Sequence, residues 1–387
     1  MQKIKQVLKE IFITNLGVGK GEKILVFTDK FLTPTVGATL EAAQNIGQAQ
    51  DLPLRLIAET AYVIGREFTD NMEYCIYNQS GTHGAEPPYE LWVKAFGKTI
   101  IDKLKAEGLF DKISEKKADN QDISQAEKII SADYKDAVDA VIALSYYSTS
   151  HTRFRDFLTR ICGTRYASMP MFDEKMLDGA MRVDWTALER KSNIIADAVN
   201  KAVTLKINTP NGTDMVIVKN ERTAHADTGN LRAKGSFGNL PAGEAYFAPI
   251  ENLSYGVMVL DWTPTRKLLT PIKLLVKKGN VVDVQGYEEY ADVLRKKLSE
   301  RAEFSNIAEL GIGTNNMAIH PENILEAEKI AGTIHIALGD NSSFGGVIKT
   351  PFHQDFIFFQ PTVILVDGDG RETALIKDGE FHIDLLS

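Results

Sequence analysis

The stretch AVTLKINTPNGTDMVIVKN, residues 202–220, holds two β-rich runs split by Pro210, Asn211 and Gly212. A Pro-Asn-Gly turn between two such runs is a hairpin signal. It also marks a change of texture along the chain. Upstream, EKILVFTD (22–29) reads as a buried strand, PTVGATLEAAQNIG (34–47) as a helix and DLPLRLIAET (51–60) as another strand. The plan repeats with a strand at Ala140 to Leu144 and a helix from about Thr152 to Cys162. Between them, the charged run EKKADNQDISQAEK reads as a solvated helix or connection. This alternation implies a parallel sheet flanked by helices. Downstream, YGVMVLDW, PIKLLVKKGNVVDVQG, TIHIAL, DFIFFQPTVILVDGDG and TALIKDGEFHI continue a strand-and-turn pattern, interrupted by one helix from about Glu288 to Ala302. The expected fold class is α/β: an N-terminal parallel-sheet α/β domain over residues 1–200, followed by a β-rich α+β domain over 201–387.

Length and composition agree with two domains. A chain of 387 residues exceeds the usual size of one hydrophobic core, and 44% apolar with 25% charged residues is ordinary for a soluble globular protein. The formal charge of −8 offers no electrostatic footprint for nucleic acid or an anionic membrane. The opening residues lack a signal-peptide core, and no run reaches the roughly 20 apolar residues of a membrane span. A cytoplasmic protein is expected, with neither nucleic acid nor membrane as a partner.

Several familiar motifs lead nowhere. GVGKGEK (17–23) has the glycines of a phosphate loop, but here a helix precedes a strand, where such a loop must follow a strand and open a helix. Only Cys75 and Cys162 are present, and no G-x-S-x-G elbow exists, so disulfides, cysteine-rich zinc sites and covalent catalysis have little support. His151, in STSHTRFRD, sits where strand gives way to helix, a place where open α/β folds bind ligands; helix capping is its plainer role.

The informative cluster lies in GTIHIALGDNSSFGGVIKTPFHQDF, residues 332–356. Residues i and i+2 of a strand share a face, so FHQDF presents His353 and Asp355 side by side with Gln354 turned away. In GTIHIAL the same alternation puts His335 between the small residues Thr333 and Ala337, with room for an ion. Two glutamates join the set. Glu244 follows Pro and Gly in FGNLPAGEAYFAP, and Glu309 lies between apolar residues in NIAELGIGTNN. Charged side chains in such company are seldom buried without a partner or a metal.

The ordered runs GNLPAGEAYFAPIE, AELGIGTN, GTIHIALGDNSSFGG and FHQDF, with STSHTRFRD and RYASMP earlier in the chain, resemble the M29 metallo-aminopeptidases of the aminopeptidase T type. The resemblance implies a two-domain, cytoplasmic homodimer with two divalent ions, zinc, cobalt or manganese, on Glu244, Glu309, His335, His353 and Asp355. It further implies a hydrolase, a metalloprotease that releases N-terminal residues from small peptides by metal-activated water. Glu309 is the favoured proton carrier. Those peptidases place a tyrosine seven residues after the histidine matching His335; this chain has Ser342 there. HIALGDNSSFGG is also similar to a peptidase-like branch that includes dihydroxypyridine ring-cleaving dioxygenases, in which His335, His353 and Asp355 would hold one Fe(II). A catalytically silent binding protein is the third expectation. The three carboxylates Glu244, Glu309 and Asp355 match two divalent ions better than one.

Overall fold

The computed structural model describes residues 2–31 and 47–382. In chain order its strands are β1 Ile24–Lys30, β2 Met72–Asn78, β3 Ala140–Ala143, β4 Arg165–Ser168, β5 Thr204–Asn208 and β6 Asp214–Val218. They continue as β7 His225–Asp227, β8 Phe237–Asn239, β9 Glu244–Phe247, β10 Tyr255–Trp262, β11 Lys267–Lys277 and β12 Asn280–Gln285. The last six are β13 Ile307–Gly313, β14 Ile334–Gly339, β15 His353–Phe358, β16 Thr362–Val366, β17 Glu372–Lys377 and β18 Glu380–Phe381.

The chain divides into two compact units, one of Met1–Arg182 with Gly229–Pro241 and one of Val183–Thr228 with Ala242–Ser387. The division therefore falls at Arg182, ahead of the break expected after residue 200. The helix Trp185–Asn200 belongs to the second unit, where its Ile195 and Val199 join the core.

The first unit is built on a five-stranded parallel sheet in the order β2-β1-β3-β4-β8. Its apolar strand residues Leu25, Phe27 and Val141 pack with Trp92, Phe96, Phe154 and Phe157. The helix expected near Thr152 runs from Arg153 to Arg160, and Thr152 caps it by accepting from the Arg155 N–H. The solvated run 115–128 opens the helix Asn120–Ala132 through a reciprocal box of Asp119 and Asp122. One expectation fails. DLPLRLIAET is not a strand but part of the helix Gly47–Gly65, in which Leu54, Ile57, Ala58, Ala61 and Ile64 make a buried stripe. Exposed Leu56 and Val63 hide that helical period in the sequence. The helix expected over 34–47 lies outside the described residues apart from Gly47.

The second unit is antiparallel. Its larger sheet runs β12-β11-β10-β6-β5-β16-β17-β18, and the hairpin read from residues 202–220 is the β5/β6 pair. Its smaller sheet runs β15-β14-β13-β9-β7. One core takes in residues of both: Leu205, Ile217, Met258 and Ile272 from the larger sheet, and Phe247, Leu310, Ile312, Ile334, Ile336, Leu338, Phe356 and Phe358 from the smaller. Period-2 alternation then sends Glu244, Glu309, His335, His353 and Asp355 to the other face of the smaller sheet. No helix among the described residues is long and apolar enough to cross a membrane.

This division of faces is testable. Ile336→Ala removes a fully buried side chain from the core face and should cost about 2–5 kcal/mol of stability. Metal stoichiometry should be unchanged, because Ile336 points away from the ligand face; urea denaturation and metal analysis check the two halves.

Candidate metal centre

Strand register assembles the site. Glu244 pairs with Gly313, His335 with Gly311, Asp355 with Ala337 and His353 with Gly339, while Ala337 also pairs with Glu309. Every ligand candidate thus faces a glycine or alanine across the ladder, which leaves space above the sheet for its longer side chain. The clearance is tight at Gly311, where a Cβ would lie 2.0 Å from Cε1 and Nε2 of His335.

The five side chains form two groups that share Glu309. Glu244, Glu309 and His335 bring one ligand atom each within 4.8 Å of one another, and so do Glu309, His353 and Asp355. His335 Nε2 lies 3.2 Å from Glu244 Oε2 and 3.5 Å from Glu309 Oε1. His353 Nε2 lies 3.4 Å from Glu309 Oε2 and 3.5 Å from Asp355 Oδ2. The two oxygens of Glu309 therefore face different histidines. The structure does not gather His335, His353 and Asp355 into one group; Glu309 takes the place expected for His335 beside His353 and Asp355.

The surroundings suit a cation. His353 Nδ1 lies 2.8 Å from the Asp340 carbonyl, which holds the proton on that nitrogen and leaves Nε2 free to ligate. Glu244 Oε2 is buried and accepts no well-aligned hydrogen bond, its contact being the ion pair with His335 Nε2 at 3.2 Å, a position that a metal ion would suit. Burial works against the protonated ring of His335, yet Glu309, Glu244 and Glu328 push it up to about 9. Burial also opposes charge on His353, and Asp355 and Glu309 outweigh it, raising that ring well above its ordinary value. Protons on the histidines answer the negative charge of the carboxylates.

Three charged neighbours were not singled out in the sequence. Lys329 is fully buried, with Nζ 2.6 Å from Glu244 Oε1, 3.2 Å from Glu328 Oε2 and 3.9 Å from Asp227 Oδ2. Asp227 pairs with Glu244 across the β7/β9 ladder. Burial, reinforced by the charge of Asp355, pushes the Glu328 carboxyl up to about 8. Glu309, the expected proton carrier, is different: burial would raise its carboxyl, but His335 and His353 hold it below the ordinary range. Lys329 and Glu328 lie in LEAEKIAGT, which reads as a polar helix end; only its position just ahead of the strand bearing His335 could have flagged it.

The loop between β14 and β15 completes the setting. Glu251 Oε1 accepts from Asn341 Nδ2 and the Val347 N–H, and Arg222 Nη2 holds the other oxygen at 2.6 Å. Phe344 from this loop meets Tyr246 edge to face at 5.7 Å and His353 at 6.1 Å. Ser342 is exposed, its Oγ 3.1 Å from Asp340 Oδ1. Of the discarded motifs, His151 is exposed while its neighbour Thr152 caps the helix. Burial pushes the thiols of Cys75 and Cys162 up to about 11 and about 12, far from reactive thiolates.

The family model described as NicX, 2,5-dihydroxypyridine 5,6-dioxygenase, matches residues 119–382. Among solved structures, 2,5-dihydroxypyridine dioxygenase from Pseudomonas putida KT2440 is similar with a TM-score of 0.67 at 16% identity, over 98% of this chain and 96% of that one. Wild-type AmpT from Thermus thermophilus is similar with a TM-score of 0.54 at 18% identity, over 98% of this chain and 99% of that one. At these identities the likeness is one of fold. No protein of curated function matches the sequence.

Protonation of the metal-free site makes a pH prediction. A folded value of about 9 for His335, above its ordinary 6.5, means stabilisation that is complete below pH 6.5 and lost as pH rises through 9. Urea denaturation of chelator-treated protein should show that decline. Gly311→Ala, which displaces the His335 ring, should flatten it and cost about 1–3 kcal/mol by overpacking.

Proposed function

The chain belongs to the family of 2,5-dihydroxypyridine 5,6-dioxygenases, and from that premise we propose that it is a metal-dependent ring-cleaving dioxygenase acting on a dihydroxylated nitrogen heteroaromatic, with one Fe(II). The observation that carries this reading is the span of the family match. Residues 119–382 include all five candidate ligands, so the stretch matched by the family model contains the candidate site.

Glu309, His353 and Asp355 would hold the ion. Theirs is the more open group, with the His353 side chain 24% exposed against 1% for His335. A bound Fe(II) supplies open coordination positions where dioxygen and a hydroxylated ring can meet. The chain's own residues orient and protonate. Asp340 fixes the ring of His353, and Phe344 with Tyr246 offers aromatic surface to a planar substrate. Burial and the nearby Asp227 and Glu309 keep the Tyr246 phenol protonated, ready to donate to a ring oxygen. Glu328 holds a proton near neutrality beside Asp355 and Lys329.

Hydrolysis of small peptides is the second reading. It is favoured by the division of Glu309 between two ligand groups, the arrangement in which one carboxylate bridges two ions. Ser342 does not take over the role of a tyrosine in that chemistry, since its hydroxyl is turned to Asp340.

Iron-loaded protein, purified without oxygen, should consume dioxygen when 2,5-dihydroxypyridine is added. His353→Ala should lose iron affinity and oxygen uptake by on the order of 10²-fold or more, since it deletes a ligand and not merely an outer partner. Zinc- or cobalt-loaded protein that releases N-terminal residues from dipeptide amides, with no oxygen uptake by the iron form, would replace this reading with the hydrolytic one. Binding of the ring with neither activity would point to a silent binding protein.

A further inference from the structure

We infer that Lys329 is a resident counter-cation of the Glu244, Glu309 and His335 group, and that it limits the five-ligand site to one tightly held divalent ion, seated on Glu309, His353 and Asp355. The inference rests on the metal-site reading above and specifies how many ions that site keeps.

Lys329 is built into the frame that carries Glu244. Its carbonyl accepts from the Asn315 N–H at 2.8 Å, and Asn315 Nδ2 donates to the carbonyl of Ala242 at 2.9 Å, two residues before Glu244. The parallel bridge between Asn315 and Ile330 reinforces the same contact. The ammonium is thereby held against the Glu244 carboxylate.

The ion pairs of Lys329 are with Glu244, Glu328 and Asp227 among the described residues, and none is with Asp355. Of the candidate ligands, Glu244 is the one ion-paired with Lys329 among the described residues. With Oε1 of Glu244 taken by Nζ at 2.6 Å, the group offers a second ion only Oε2 of that residue, close to a fixed positive charge. Like charges buried this deeply are poorly screened by solvent or salt. Lys329 makes no ion pair with Glu309 or Asp355 among the described residues. A lysine thus holds an oxygen of Glu244 that a second dication would otherwise take, which brings a ligand set fit for two ions into line with the single ion of the dioxygenase reading.

Chelator-stripped full-length protein titrated with Mn(II), followed by calorimetry and electron paramagnetic resonance, tests this without reference to activity. The native chain should bind one Mn(II) tightly. Lys329→Gln should strengthen a second Mn(II) by about 10–100-fold, the range typical of outer-partner changes, and give the signal of a coupled pair. Lys329→Arg, which keeps the charge, should retain a single tight ion. Two Mn(II) of like affinity in the native chain, or no gain in folded Lys329→Gln, would overturn the inference. Glu244→Gln decides the matter should Lys329→Gln fail to fold: the first ion should bind as in the native chain, and a loss of about tenfold or more, on the scale of a lost metal-site partner, would overturn it. Oxygen uptake tests the dioxygenase reading separately, so the two can fail independently.

Discussion

Crowding of carboxylates on one buried sheet face is the constraint on which the second unit depends. Glu244, Glu309 and Asp355 lie on the ligand face of the smaller sheet, with Asp227 and Glu328 close by, and Lys329 is the ammonium set among them. Anions brought together out of water must be neutralised, by protons, by cations or by both. Both are at work here: Lys329 pairs with Glu244, Glu328 and Asp227, and the carboxylates raise His335 and His353 while the Glu328 carboxyl is itself raised. A divalent ion bound there would take over the role of those protons, since both answer the same demand for positive charge.

That constraint shapes the sheet beneath it. A face that concentrates charge needs an opposite face able to anchor it, and Ile334, Ile336, Leu338, Phe356 and Phe358 provide one by packing into the core. The ligand face needs height above the backbone. Gly311, Gly313, Ala337 and Gly339, set opposite the ligands, give it by having little or no side chain. Placing the ligands on paired strands also makes the site more exact than loops would. The ladder sets each residue's position, and the Asp340 carbonyl then sets the ring of His353.

What could be read in the sequence was what period and turn chemistry carry. Strand alternation placed His353 with Asp355 and turned Gln354 away, and the Pro210-Asn211-Gly212 turn disclosed the β5/β6 hairpin. Register was beyond reach, because pairing between strands distant in sequence leaves no local trace. Thus His335 could be grouped with His353 and Asp355, although β14 pairs so that Glu309 stands between the two histidines. Lys329 is hidden for a related reason: a lysine flanked by glutamate reads as solvent-facing until tertiary contacts bury it. The helix around Pro53 is masked in the sequence because exposed Leu56 and Val63 break the stripe that Leu54, Ile57, Ala58, Ala61 and Ile64 form.

The same scaffold is similar to a dioxygenase and to AmpT, so the fold cannot by itself select the chemistry. Selection has to come from the charge distribution at the site. Two ions bridged by a carboxylate can hold an attacking water and a polarised carbonyl together, whereas one ion with open positions can gather two reactants at a single centre. Conversion between these regimes does not require the loss of ligands. A fixed ammonium beside one of two adjoining groups lowers the demand there for a cation while leaving the other group intact. Ligand identity consequently says less about the reaction than the positive charge already present, and Lys329 is as much a part of the metal site's definition as the residues that would touch the ion.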